Sequence, residues 1–207
     1  MKKEITILIF GCLVLSLSYI YPNLDNFLNI LKYFGIFLLV ISINILTKKI
    51  VAKNLDIDIE TKLWAVYYFG FKEKDHFKKP LPMIWLPLVL SIFSNGILQW
   101  FPILEFEEKA RIERIARRHE LYRFTYVTEW HSGLIAFWGF LSSIFLFFLS
   151  SLIGFQELAK ISLFYSIWSL IPVSSLDGTK ILFGSRKLWI LSFIISLVAL
   201  LIFSFSF

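Results

Sequence analysis

The residue best placed to do chemistry in this chain is Asp177, an acid that directly follows a mostly apolar stretch. It lies in the sequence Ser174-Ser175-Leu176-Asp177-Gly178. Pro172 shortly before it cannot continue a helix, and Gly178 after it allows a sharp turn. Ionisable groups are costly at membrane depth, so an acid there usually has a function. The Asp177 carboxylate could be a metal ligand, an ion-pair partner or the polar start of a loop.

A second polar pair, Asn44 and Lys48, lies near the end of another apolar run. The two residues are four positions apart, so they share one face of a helix. A buried Lys48 would need an acidic partner. A Lys48 at the membrane boundary would instead extend its charged end towards water, as Lys49 and Lys53 would. Both possibilities stay open at this point.

The chain has three histidines, a residue type that can act as a zinc ligand or as a base. His76 lies in a lysine-rich turn, which indicates a solvated loop residue. The sequence from His119 begins like the metalloprotease motif H-E-x-x-H, but Arg123 replaces the second histidine and would repel a metal. His131 follows Trp130 at the start of an apolar run, which predicts an interfacial position and leaves an approach to Asp177 open.

The composition is that of an integral membrane protein. Hydrophobic residues make up 57% of the chain and charged residues 17%, against about 25% charged in soluble domains. Membrane-length apolar runs occur at 5–21, 27–47, 132–153 and 188–207; the runs 81–104 and 157–175 are interrupted. We expect an all-α polytopic membrane bundle of five to six membrane segments, forming one domain over residues 1–207. Cys12, the single cysteine, excludes an intrachain disulfide and a Cys-based zinc site.

The net charge of +6 reflects membrane topology rather than nucleic-acid binding, because the cations lie between the apolar runs. If residues 81–104 enter and leave the membrane on one side, all of the 21 lysines and arginines except Lys32 and Lys160 fall on one face. The positive-inside rule then predicts a cytoplasmic N-terminus. The prolines of residues 81–104 and Asn95-Gly96 favour such a re-entrant or surface-buried segment over a crossing.

Two patterns predict structure at the cytoplasmic surface. Residues 55–63 alternate apolar and charged side chains, which is typical of a strand. We expect residues 64–69 to pair with it, giving a small β-hairpin or sheet before a turn at Lys72–Lys79. Its edge could receive an extended peptide, or the hairpin could simply cover the bundle. Residues 105–123 predict an amphipathic helix on the inner leaflet. The turn at 139–143, with its small residues Gly139, Ser142 and Ser143, predicts close helix packing.

The order of these features resembles the site-2 protease family of intramembrane zinc metalloproteases, especially its prokaryotic members. In that family one helix carries H-E-x-x-H and a later one carries N-x-x-P-x-x-x-L-D-G. This chain matches the later motif at Pro172, Leu176, Asp177 and Gly178, with Ser169 in place of the asparagine. The resemblance covers about residues 27–190. It implies a prokaryotic plasma-membrane protein in which Asp177 is a vestigial zinc ligand.

The chain departs from the family at the catalytic motif. By the same alignment Asn44 and Lys48 replace the two histidines, and Ile45 replaces the catalytic glutamate. Zinc catalysis needs three protein ligands, a bound water and a carboxylate that moves its protons. The departure predicts a non-catalytic pseudoprotease without a cofactor, in which the Lys48 ammonium could take the place of the metal beside Asp177.

The expected partners are membrane lipids and either a membrane helix or an extended peptide; no nucleic acid is expected. Two other functions stay open. One is an active intramembrane zinc metalloprotease with atypical ligands, His119 or His131 together with Asp177. The other is a small transporter or lipid-binding membrane protein, for which more intramembrane charge would be expected.

Overall fold

The computed structural model describes residues 2–22, 27–68, 76–111 and 127–206. Its helices are α1 (Lys2–Ile20), α2 (Phe27–Asn54), α3 (Leu86–Phe93), α4 (Glu129–Ile153), α5 (Gln156–Ser169), α6 (Asp177–Gly184) and α7 (Arg186–Ser206). Within the described ranges, four of these, α1, α2, α4 and α7, are long and apolar enough to cross a membrane. These helices support the helical membrane class that the sequence predicts, whereas the expected number of five to six membrane segments is not confirmed. The two interrupted runs form the shorter helices α3 and α5, of 8 and 14 residues.

The strands are β1 (Ile57–Leu63), β2 (Ala65–Tyr68), β3 (His76–Pro82) and β4 (Leu104–Ala110). They form two two-stranded sheets, β1 with β4 and β2 antiparallel with β3. The strand predicted from alternation is confirmed: Ile57 and Ile59 are buried while Asp58 and Glu60 are exposed.

Three sequence predictions about this region are wrong. β1 does not pair with β2, because the single residue Trp64 between them is too short for a hairpin turn. His76 begins β3 and so does not lie in a loop, and the lysine-rich turn cannot extend to Lys79. Residues 104–110 form a strand where the amphipathic helix was expected to begin. The rest of that expected helix, including His119, lies outside the described residues.

The chain divides into two compact units, Met1–Leu38 with Lys62–Glu105, and Leu39–Thr61 with Phe106–Phe207. In the first unit α1 packs against α3, where the Ser18 hydroxyl donates to the Pro87 carbonyl at 2.9 Å. The rings of Tyr19, Phe37 and Phe101 form an aromatic cluster beside them, with centroids 5.5–6.2 Å apart.

The second unit is built around α4, which packs against α5, α6 and α7. The beginnings of α4 and α7 lie together, because Gly133 of α4 contacts the backbone of Gly184 just before α7. Further along, the Phe147 ring of α4 meets the Phe203 ring of α7 at 6.5 Å. α4 and α7 therefore run parallel, and α5 carries the chain back between them. The buried core also includes Ile57, Ile59 and Phe106 from the strands.

Candidate functional site

The site is an ion pair buried between α2 and the first residue of α6. The Lys48 Nζ lies 2.6 Å from Asp177 Oδ2, and each side chain is only 8% exposed. The two residues are 129 positions apart in the sequence. Lys48 therefore does not extend to water as a boundary lysine would, and its charge is balanced inside the second unit.

Gly139 of α4 provides the space for the Lys48 side chain. A Cβ added at Gly139 would lie 2.9 Å from Lys48 Cγ and 3.2 Å from its Cδ. The methylene stem of Lys48 thus lies directly on the α4 backbone. Gly139 is the first of the residues 139–143 at which close helix packing was expected, and here the Lys48 stem occupies the space that this glycine leaves.

Asn44, one turn earlier on α2, also links α2 to α4. Its Nδ2 donates to the Gly139 carbonyl at 2.8 Å and to Ser143 Oγ at 3.2 Å. Asn44 and Lys48 share one helix face, as their spacing predicts, and both are buried. Ile45 is half-buried and carries neither charge nor hydrogen-bonding side-chain atoms.

The break between α5 and α6 presents Asp177 to Lys48. α5 ends at Ser169, before Pro172, and α6 begins at Asp177 itself, after the buried Leu176. Gly178 does not form the sharp turn that was expected, since it lies within α6. Its role is close approach: a Cβ at Gly178 would contact the Leu170 carbonyl and lie 2.7 Å from the Ile171 oxygen. The start of α6 therefore packs directly on the backbone of the break.

Lys180 of α6 is the second lysine of this charged cluster. Lys180 Nζ donates to the Phe106 carbonyl, and it lies 3.0 Å from Glu108 Oε1. The Phe106 ring lies 3.5 Å from Lys180 Nζ and 5.1 Å from Lys48 Nζ, centroid to nitrogen. Both distances allow cation–π attraction. The Phe106 ring is thus a neighbour of both ammonium groups.

Sequence reasoning missed Lys180, Glu108 and Phe106. The spacing of Lys180, three residues after Asp177, was a usable signal, because such residues share a helix face. Phe106 carried no signal, since its position depends on the pairing of β4 with β1.

The ion pair does not use all the hydrogen-bonding capacity of the site. Asp177 Oδ1, Asn44 Oδ1 and Thr179 Oγ1 are buried and make no hydrogen bond to any part of the chain that the structure describes. Lys48 donates a single described hydrogen bond, to Asp177. The arrangement holds a charge pair and retains the unpartnered acceptor atoms of Asp177 and Asn44.

The residues that the sequence motif aligns with zinc ligands do not suit a zinc ion. The Lys48 ammonium, 2.6 Å from Asp177, brings positive charge next to the carboxylate that would have to bind the dication. The Asn44 amide directs its nitrogen to the Gly139 carbonyl. Across residues 2–22, 27–68, 76–111 and 127–206, no group of three His, Cys, Asp or Glu side chains could hold a metal. His131 Nδ1 instead lies 2.5 Å from Thr128 Oγ1, in the first turn of α4.

Comparison with protein-family models, with curated proteins and with solved structures finds no match to this chain. The resemblance to the site-2 protease family therefore rests on the sequence motif and its order along the chain.

Proposed function

We propose that this chain is a non-catalytic, site-2-protease-like membrane protein that works by binding a membrane helix. The observation that carries this proposal is the buried Lys48–Asp177 ion pair, which joins two of the positions that the motif aligns with zinc ligands. In this view the ammonium replaces the metal as the positive charge that holds α6 against α2.

Loss of catalysis follows from the chemistry of the three replaced positions. An intramembrane metalloprotease must activate a water on zinc and move its proton through a carboxylate. Ile45 has no titratable atom, and the Asn44 amide is engaged with Gly139 and Ser143. Lys48 is held by Asp177, so none of the three takes over the role of the glutamate.

An apolar groove in the second unit supports the binding role. It has a volume of about 320 Å³ and lies between the end of α5 and α7, next to the break that presents Asp177. The indole nitrogen of Trp189 in its wall already donates to the Leu170 carbonyl at 3.1 Å. A lining with so few polar groups suits the side chains of a membrane helix better than an extended peptide, whose main chain needs hydrogen-bond partners.

Restoring the H-E-x-x-H motif tests whether the site derives from a zinc site. The triple variant Asn44→His/Ile45→Glu/Lys48→His, purified from membranes, is expected to carry stoichiometric zinc, because Asp177 would then complete three ligands. Adding Asp177→Ala to that variant should remove the zinc, and the wild-type chain should carry none. The proposal is overturned if the folded triple variant binds no zinc. Stoichiometric wild-type zinc that disappears in Asp177→Ala would equally overturn it.

Site-specific photocrosslinking tests the helix-binding role. A photoreactive residue at Leu197, which lines the groove, is expected to form a discrete adduct with one membrane protein in intact cells. The same residue at Leu152, an exposed apolar position at the end of α4, is the matched control. Lipid adducts alone at Leu197, identical to those at Leu152, would contradict helix binding.

A further inference from the structure

Both ends of the segment 83–103 are hydrogen-bonded to the backbone of Trp64. Just before α3, the Met83 N–H donates to the Trp64 carbonyl at 3.0 Å. At the other end, the Trp64 N–H donates to the Ile103 carbonyl at 2.9 Å. One residue thus holds both ends of the segment, so the chain leaves and returns at the same place.

The outgoing half of the segment runs along α1 towards its C-terminal end. The Trp85 ring meets the Phe10 ring edge-on at 6.2 Å. Ser91 Oγ lies 2.7 Å from Ser18 Oγ, and a Cβ at Gly96 would contact the carbonyl of Tyr21. At 1.5 Å per residue of helix, the path from the level of Phe10 to that of Tyr21 covers about 16 Å.

The returning half runs back along the same helix. The Phe101 ring lies 6.2 Å from the Tyr19 ring, and Ile103 Cδ1 would be 2.8 Å from a Cβ at Gly11. Both ends of the segment therefore lie near Phe10 and Gly11, and its Asn95-Gly96 tip lies at the end of α1.

The side of the segment turned away from α1 is apolar and exposed. Phe93 is 88% exposed and Ile97 is 83% exposed, and Val89 and Ile92 lie on the same exposed surface. The polar contact of Ser18 with Ser91 is buried on the opposite side. A soluble surface rarely presents such a patch, whereas a bilayer that α1 crosses would surround it.

Hydrocarbon requires the polar groups of irregular backbone to find partners within the protein, and several N–H groups of the tip do so. The Gly96 N–H donates to the Ser91 carbonyl at 2.7 Å, and the Leu98 N–H donates to Ser94 Oγ at 2.9 Å. Ser94 Oγ in turn donates to the Leu90 carbonyl at 2.6 Å. These bonds close the turn without any group from outside the segment.

We infer that residues 83–103 are a re-entrant segment that reaches from the level of the middle of α1 to its C-terminal end and returns, with Val89, Ile92, Phe93 and Ile97 in contact with lipid acyl chains. α3 has 8 residues, about 12 Å of helix, and cannot cross a hydrocarbon core of about 30 Å. Lipid acyl chains cover this apolar face because the segment lies along α1. A bilayer that α1 crosses surrounds the segment at the same depths.

Cysteine labelling in sealed vesicles tests the path. Single cysteines at Lys79, before the segment, and Lys109, in the strand that follows it, are placed in a Cys12→Ala background. A membrane-impermeant maleimide is expected to label both from the same side, since the seven-residue strand β4 cannot itself cross a bilayer. Labelling of the two positions from opposite sides would overturn the re-entrant path.

A nitroxide attached at Phe93→Cys, with the protein in liposomes, tests whether lipid contacts this face. We expect frequent collisions with oxygen, which concentrates among acyl chains, and few with a water-soluble nickel chelate. A nitroxide at Asp58→Cys, whose native side chain is 58% exposed on β1, should show the reverse and serves as the aqueous control. Frequent nickel collisions at Phe93 would overturn insertion. Few collisions with either reagent would mean that protein covers the face, which would overturn lipid contact.

Discussion

At the level of single residues, the most consequential feature is that Lys48 and Asp177 are buried together. Taking either charge out of water is costly, and their mutual attraction offsets that cost only at close range. The 2.6 Å contact provides that range, and Gly139 leaves the space in which the lysine stem lies. Removing one partner would leave the other charge buried without compensation.

Each single variant, Lys48→Met and Asp177→Leu, is expected to lower the free energy of unfolding by about 3–5 kcal/mol. The double variant should lose much less than the sum of the two, because neither charge then remains buried alone. Denaturant unfolding in detergent micelles measures this. Strict additivity of the two losses would show that the pair contributes no coupling energy.

Gly139→Ala is expected to destabilise the protein by about 1–3 kcal/mol, the usual cost of overpacking. Its new methyl group would push against the Lys48 methylenes. Gly35→Ala in α2 is the matched control, since a Cβ there meets nothing within 4 Å, and helix propensity favours alanine by about 1 kcal/mol. Equal melting temperatures for the two variants would contradict the packing argument.

At the level of elements, the break between α5 and α6 determines where Asp177 lies. Pro172 prevents α5 from continuing, and α6 restarts with its first turn against the carbonyls of Leu170 and Ile171. Helices can approach a backbone this closely only through glycine. Gly178 is therefore required by contact, whereas Gly154, at φ 82° after α4, is required by conformation.

These two glycines should respond differently to alanine. Gly154→Ala meets no neighbouring atom, so it should cost only the strain of a positive φ, about 1 kcal/mol. Gly178→Ala would push against backbone that cannot rotate away, and it should cost clearly more and weaken the Lys48–Asp177 pair. Thermal unfolding of both variants in the same detergent checks this; a Gly178→Ala loss no greater than that of Gly154→Ala would be evidence against it.

At the level of the whole chain, we predict the membrane topology from the cation placement and from the path of the chain through the second unit. α4 and α7 run parallel, with the α5 return between them. We predict that α5 and the residues that follow it add a fifth crossing. The positive-inside rule then predicts a cytoplasmic N-terminus, next to Lys2 and Lys3, and a C-terminus outside.

Reporter fusions measure this topology directly. Alkaline phosphatase fused after Phe207 is expected to be active, because it folds only outside the cytoplasm, and a fluorescent protein fused there should stay dark. A fluorescent protein fused before Lys2 should fold and fluoresce. A fluorescent C-terminal fusion would instead indicate an even number of crossings.

Several features of this chain could be predicted because they depend on neighbours in the sequence. Long apolar runs predicted α1, α2, α4 and α7, alternation predicted β1, and Pro172 predicted the end of α5. The length of a helix, the period of a strand and the residue at which a helix ends are local properties. The shared face of Asn44 and Lys48 followed from the same local geometry.

Other features depended on which segments meet in space. Distant parts of the chain are joined by the pairing of β1 with β4, by the contacts of Phe106 with two lysines and by the hydrogen bonds of both ends of residues 83–103 to Trp64. Many pairings satisfy the same local pattern, and packing selects among them. The polar residues near Asp177 were thus recognisable in the sequence, but whether Lys48 reached water or the carboxylate depended on how closely α2, α4 and α6 pack.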